Sequence, residues 1–556
     1  MRADADVSDV FNDVRSFYRQ GEAIEVVAVP KGTTRAVART SSGRALEARV
    51  GDTAIFDSLG PGTYSVEAWD ADGELLAEEF TTVGRHQGER PVHGFATSFG
   101  PQDVAGVLAW HRALRSTVVQ IYDWMSSYTE PLGANDEWKD PSNRPVSLDA
   151  LRALASGLHD LGAVAHAYAP IYAVGNEFAA QHPEMLLYED DGQAIRFLDQ
   201  IVLANPANKE WQQHFAASYG SAMDAVGFDG LHVDTYGYPR ASNDADGRPV
   251  DIRSAYEAFL RYLRSERTSD LISFNQVNGV PSAIRLPDAP TFRYCEVWAP
   301  NDRWRHFEGL MDRTSGRAGL VGDFRTRDPL ARGSIACYPP VWGIDTPEGP
   351  ISDDERGSAL RTVVLTEAIV TCLGGSSLIY GDLRAVLCDP YYPKHVELTD
   401  AEAQTVIAWR RFSLRCRDLF TEGEDTSWYE IGDENASVTI WADAPVRPEP
   451  EGGTLFARVT HGDDIVSVGV VDLTGTTSAK WTEPTEVGTI SRVTARVLLD
   501  HPETWRVDAA VLGGSDDRFV RVMSTIVPHR QGRALEVNLA LVEGWSVLRF
   551  TKDEHV

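Results

Sequence analysis

From about residue 91 to 422 the chain alternates short apolar runs with longer stretches of helical period. No other feature restricts its fold as tightly. A short apolar run bounded by turn residues reads as a strand buried on both faces, and a helix between two such strands makes them parallel. Eight runs stand out: GFATSF (94–99), TVVQIYDW (117–124), AVAHAYAPIY (163–172), GLHVDTYG (230–237), LISFNQVN (271–278), FRYCEVW (292–298), GSIACYPP (333–340) and SSLIYGD (376–382). Eight is the number that a closed (β/α)8 TIM barrel needs. Between them, LDALRALASGLHDLG (148–162) carries leucines near helical period and ends in glycine, and 207–227 and 253–266 read the same way.

The flanks change character. Residues 1–90 hold AIEVVAVP, TAIFDSL and TYSVEAW between Gly and Pro punctuation, which predicts a small immunoglobulin-like β-sandwich. Residues 423–556 return to strands, among them DIVSVGVVDL, RVTARVLL, WRVDAAVL, ALEVNLALV and WSVLRF, and predict a second sandwich. A chain of 556 residues is too long for one core, so a multidomain protein with the barrel at 91–422 is expected.

Charge and cysteine usage narrow the function. The formal net charge of -30 keeps the chain soluble and repels phosphate backbones and anionic membranes, so neither nucleic acid nor membrane is an expected partner. A neutral sugar is not excluded. Five scattered cysteines, Cys295, Cys337, Cys372, Cys388 and Cys416, form no CxxC pair and read as buried hydrophobes rather than a disulfide framework or zinc site. DADG at 70–73 and 244–247 lacks the rest of a calcium loop and reads as surface turns, so no metal is expected. The first residues show no basic segment followed by an apolar run, which favours a cytoplasmic chain, or a secreted one if a leader has been removed. Nucleotide loops, serine elbows and HExxH are absent from the sequence.

In barrels of this kind the active site lies at the C-terminal ends of the strands. Polar residues gather there: Tyr122, Asp123 and Trp124; His232 and Asp234, which share a strand face; Asn275, Gln276 and Asn278; Glu296 and Trp298; Tyr380 and Asp382. Carboxylates, amides and aromatic rings suit a sugar, whose hydroxyls need donors and acceptors and whose ring faces pack on Trp and Tyr. Cleaving a glycosidic bond needs one carboxylate for the anomeric carbon and one proton for the leaving oxygen. The short Asp234 is the natural nucleophile and the longer Glu296 the natural acid/base. Asp123 is expected to bind a hydroxyl, with Tyr122, Trp124, Tyr172, His232, Asn275, Asn278, Trp298, Tyr380 and Asp382 as further substrate contacts. Several have a plain structural reading as well. His232 fits a hydrogen-bonded core histidine equally, and Trp124, Trp138 and Trp298 each fit the core. Asp229 reads as the residue holding the turn into the fourth strand.

The motifs resemble glycoside hydrolase family 66, the dextranases and cycloisomaltooligosaccharide glucanotransferases. The resemblance runs through DVRSFYRQGE (13–22), VVQIYDWM (118–125), EWKDP (137–141), AYAPIYA (167–173), NPANKEWQ (205–212), GFDGLHVDTYG (227–237), YCEVW (294–298), LTEAIVTCLGG (365–375) and YYP (391–393). It implies a retaining mechanism with Asp234 as nucleophile and Glu296 as acid/base, α-1,6-linked glucan as substrate, and no cofactor. Two stretches depart from the family pattern. Members often carry Arg-His where this chain has Ser126–Tyr128, and a His-x-Glu-Leu-Gly run where it reads SSLIYG (376–381). The chain has no room for the large inserted module of the cyclising enzymes, so hydrolysis is expected over cyclisation. Transglycosylation, hydrolysis of another α-linked oligosaccharide, and carbohydrate binding without cleavage remain as alternatives.

Overall fold

The computed structural model describes residues 13–553 apart from 27–28, 52, 198, 238–241, 267–270, 282–283, 285–290, 315–332, 344–348, 389–394, 426–430, 432–435, 489–491 and 515–516. The YYP run at 391–393 lies outside the described residues.

All eight apolar runs contain strands: β1 (His93–Ala96), β2 (Val118–Ile121), β3 (Val164–Pro170), β4 (Gly230–Asp234), β5 (Leu271–Asn275), β6 (Thr291–Glu296), β7 (Ser334–Ala336) and β8 (Ser376–Leu378, resumed at Tyr380–Gly381). Each stops short of the C-terminal end of its run, because the last residues leave the ladder to form the mouth. Neighbours pair in chain order and in parallel. The two ends of the array meet on β8: Ser376–Leu378 pairs with β7, and Gly381 pairs with Phe95 of β1. The approach there is so close that a Cβ on Gly381 would lie 2.1 Å from the Phe95 carbonyl oxygen. Only glycine fits.

Helices follow seven of the strands: α1 (Val104–Ala113), α2 (Leu148–Asp160), α3 (Lys209–Val226), α4 (Ile252–Ser265), α5 (His306–Thr314), α6 (Arg356–Cys372) and α7 (Asp400–Thr421). Between β5 and β6 there is no helix among the described residues. The start signals are side chains that accept from otherwise unpaired N–H groups: Ser147 on α2, Asn208 on α3, Asp251 on α4 and Thr399 on α7. Helix α2 buries Leu151, Leu154 and Leu158 against the strands, as its periodicity predicts.

The inner face of the array is polar and aromatic. His93, His166 and His232 come from β1, β3 and β4 and are all buried. Their rings pack on Phe292 at 6.3 and 4.8 Å and on Tyr294 at 4.7 Å respectively. His166 Nδ1 meets Ser273 Oγ at 2.9 Å, and His232 Nδ1 meets Gln120 Nε2 at 3.0 Å. Burial removes the water that would solvate an imidazolium, so the rings stay neutral. His93 is pushed down to about 3 and His166 to about 4, and His232 lies well below its ordinary value.

The protein is multidomain and mostly sheet outside this array. Sheets of five and three strands lie between residues 17 and 84, and sheets of seven and four strands between 424 and 552. Helix α7 is the bracket between them. Its Arg415 grips Glu78 at 2.6 and 2.7 Å, its Asp418 accepts from the Thr63 backbone at 2.5 Å, and Arg549 reaches the Ser41 carbonyl at 2.6 Å. Removing one partner of a buried pair of this kind costs about 3–5 kcal/mol. All five cysteines are buried, and none forms a disulfide with another described residue. Both DADG stretches are turns in which the first aspartate accepts two backbone N–H groups, at 2.9 Å each. No helix among the described residues is long and apolar enough to cross a membrane.

The buried histidines predict an acid-sensitive fold. Unfolded imidazoles take up protons below about pH 6.5, whereas the folded ones resist until far lower. The unfolded state therefore binds more protons in this range, and each unit by which the pH is lowered costs about 1.4 kcal/mol of stability for each such histidine. Urea unfolding at pH 7, 6 and 5 should show this decline, and His93→Gln should make it shallower. Equal slopes in both proteins would refute the assignment.

Candidate active site

Strands β4, β5 and β6 lie side by side, with Val233 opposite Phe274 and Asn275 opposite Tyr294. Side chains alternate along a strand, so Asp234, Asn275 and Glu296 all turn into the mouth of the array. The amide of Asn275 sits between the two acids. Its Nδ2 donates to Asp234 Oδ1 at 2.8 Å and to Glu296 Oε2 at 2.7 Å, and its Oδ1 accepts the Glu296 backbone N–H at 3.2 Å. Two oxygens bonded to one nitrogen at these lengths lie at most about 5.5 Å apart, which is the spacing of a nucleophile and acid/base pair in a retaining glycosidase.

Each acid has further partners. Asp234 is buried and accepts from the Tyr168 hydroxyl at 2.7 Å and the Thr235 backbone at 2.8 Å. Glu296 is half-buried and also bonded by the side chains of Tyr338 and Trp298. Burial raises both carboxyls. Glu296 is pushed up to about 7 by burial and then by the negative charge of Asp234. The pair thus holds one proton near neutral pH, seated on Glu296, with Asp234 kept ionised by its donors. One carboxylate and one carboxylic acid face the same space.

A cleft opens above the pair. Tyr122, Asp123, Tyr172, His232 and Asn275, all expected there, line it. Tyr122 donates to Gln120 at 2.7 Å, and His232 sits beneath as a buried, neutral ring. Asp123, at a φ of +46°, pairs with Arg144 at 2.8 Å, and burial raises it to about 6. Trp298 packs against Tyr338 at 6.2 Å and meets the cleft through its bond to Glu296. Asn278 plays a supporting part: it accepts from the Trp298 backbone and donates its own N–H to the Glu296 carbonyl, both at 2.8 Å, tying the ends of β5 and β6.

Three expected contacts lie elsewhere. Trp124 is buried in the outer core, packed on Phe228 at 4.9 Å and donating to the Tyr168 carbonyl. Its strand has ended by Ile121, so strand alternation no longer sets its direction. Tyr380 faces the helices, where its ring lies under the guanidinium of Arg410, which pairs with Glu367 of α6 at 2.9 Å. The break in β8 at Ile379 turns it outward. Asp382 accepts from the Thr97 backbone and hydroxyl at 2.6 and 2.5 Å, which fixes the end of β8 against β1, and lies 2.9 Å from His395 Nδ1. Trp138 likewise donates to the Trp124 carbonyl, at 3.0 Å. Asp229 holds the start of β3 through the Ala165 N–H and pairs with His159, both at 2.8 Å, as expected.

Tyr168, Tyr338 and Arg144 were missed. Tyr168 stands opposite His232 in the β3–β4 register and so shares its inward face, and Tyr338 lies two residues beyond Ala336, the partner of Glu296. Strand parity carried that signal for Tyr168, whereas Tyr338 lies past the end of β7. Arg144 arrives from a loop and left none.

An inward-facing carboxylate pair under one amide, at the mouth of a parallel β/α array, is an arrangement that suits the chemistry of a glycoside hydrolase. The chain belongs to glycosyl hydrolase family 66, whose model matches residues 61–516. It is similar to a cycloisomaltooligosaccharide glucanotransferase of Niallia circulans, at 26% identity over 36% of this chain and 23% of that protein. It is similar also to a dextranase of Streptococcus salivarius, at 24% identity over 59% of this chain and 45% of that one. The matches thus span less than half the length of these relatives. Among solved structures, a Paenibacillus cycloisomaltooligosaccharide glucanotransferase in complex with cycloisomaltoheptaose superposes with a TM-score of 0.76 at 17% identity, covering 98% of this chain and 99% of that chain. An α-amylase of Geobacillus thermoleovorans reaches 0.50 at 10% identity over 84% and 99%. These likenesses are likenesses of fold.

The electrostatics of the pair give opposite expectations for two variants. Asp234→Asn removes the charge that holds Glu296 up, so the Glu296 pKa should fall below about 7. Tyr338→Phe removes a donor that favours the ionised form, so it should rise. Infrared titration of the carboxyl band reads both, and shifts in the same direction would overturn the account.

Proposed function

We propose that the chain is an endo-acting, retaining glycosidase of α-linked glucan, with α-1,6 linkages as its target, working on a closed (β/α)8 barrel with domain boundaries near residues 90 and 422. Closure is supported by the pairing of β8 with both β7 and β1. The observation that carries the mechanism is the single Asn275 nitrogen bonded to both acids. In the first step Glu296 gives its proton to the leaving glycosidic oxygen while Asp234 attacks the anomeric carbon, forming a glycosyl ester. In the second, Glu296 takes a proton from water, whose oxygen displaces Asp234 from that carbon. Tyr168 and the Thr235 N–H position the nucleophile, and Asn275 keeps both acids in place. Tyr122, Asp123 and Tyr172 contact the sugar. Neither step calls for a metal or an organic cofactor.

A second reading shares the first step. If another sugar replaces water, the same pair performs transfer, and the names of the relatives include both a glucanotransferase and a dextranase.

A product assay on dextran, isomaltooligosaccharides and α-1,2-, α-1,3- and α-1,4-linked controls tests the proposal. Isomaltooligosaccharides should be released with retained anomeric configuration, and Asp234→Asn and Glu296→Gln should each lower kcat by about 10³-fold while folded. Near-normal turnover in either variant would sink the assignment. Elongated or cyclic products at high substrate would select transfer.

A further inference from the structure

The cleft over the carboxylates does not stand alone. Tyr128 and Gln200 line it and also line a second, larger groove beside it. Rings form part of that groove. Phe178 lies 4.5 Å from His182 and 5.1 Å from His214, and His214 stacks at 6.0 Å on buried Trp211 of α3. His214 Nε2 also meets the Thr129 carbonyl at 3.1 Å, tying the loop at Ser126–Glu130 to that helix. Exposed polar side chains stand around the rings: Glu130, Asn176, Glu177 and Gln181.

None of these residues has a part in the chemistry above. An aromatic face with amides and carboxylates around it matches a hydroxylated ring whose faces are weakly polar. The two rim glutamates, on a chain of net charge -30, disfavour an anionic ligand. The groove is continuous with the place where a glycosidic bond would be cut. Ser126 and Ser127, part of the stretch that departs from the family pattern, line this groove and not the carboxylate cleft.

We propose that the second groove binds the distal glucosyl units of a neutral glucan chain whose scissile bond lies between Asp234 and Glu296. This rests on the glycosidase reading above and adds where chain length is sensed. Contacts remote from the reacting carbon raise turnover only for substrates long enough to reach them.

Two variants test it. Phe178→Leu keeps an apolar side chain against Trp211 but loses the flat ring, and Gln181→Ala alters an exposed position, so both should fold. The measurement is kcat/KM on linear α-glucans of increasing length. Wild type should gain with length and then level off. Both variants should lose about tenfold on the long chains and stay within about twofold on the shortest chain cleaved. An unchanged length profile in both folded variants overturns the proposal while leaving the glycosidase reading intact. If wild type cleaves no α-glucan, that reading fails instead, and calorimetric titration with long isomaltooligosaccharides still decides the groove. Binding weakened about tenfold by Phe178→Leu supports it, and equal or absent binding overturns it.

Discussion

The amide of Asn275 holds two acids within about 5.5 Å of each other, a distance at which both cannot be ionised in a buried site. Everything else about the centre follows from that constraint. The shared nitrogen fixes the separation. The separation forces a proton onto one of the pair. Burial and the Asp234 charge put that proton on Glu296, at about 7. The amide has no freedom to turn, because its oxygen is occupied by the Glu296 backbone N–H. The register of β4, β5 and β6 brings the three side chains to one level, and the parallel array exists because helices cover its outer face.

The interior beneath the pair follows a different rule from the exterior. Outward residues of the strands are alanine, valine and isoleucine packed on helices. Inward residues are histidine, glutamine, serine and tyrosine, hydrogen-bonded to one another. Burial keeps the histidines neutral, and this interior gives the acids a floor of rings and hydroxyls. The N-terminal sheet is joined to it by the buried Arg415–Glu78 pair on α7, and Arg410–Glu367 ties α7 to α6, so the bracket is made of directional contacts as well as apolar area.

Much of this was legible in the chain. The eight runs became eight strands because their apolar residues leave nothing else that can bury both faces. The pairing of His232 with Asp234 on one face followed from alternation alone. Asp234, Asn275 and Glu296 were visible as polar residues at the C-terminal ends of apolar strands, where a core offers no reason for them. Tyr168, inside β3, was legible by the same parity and went unread. Trp124, Tyr380 and Asp382 were misplaced for one reason: each lies past the point where its strand stops or breaks, and beyond that point alternation carries no directional information.

The sequence by itself determined the parallel β/α core and the two flanking sheet regions, because each is written in local periodicity that near neighbours enforce. Only the tertiary structure decided that one amide bridges the acids, that Arg144 pairs with Asp123, that Tyr380 faces the helices, and that a second groove opens beside the first. Those features join residues far apart in the chain, and their geometry depends on strand register and loop packing, which the assembled core sets.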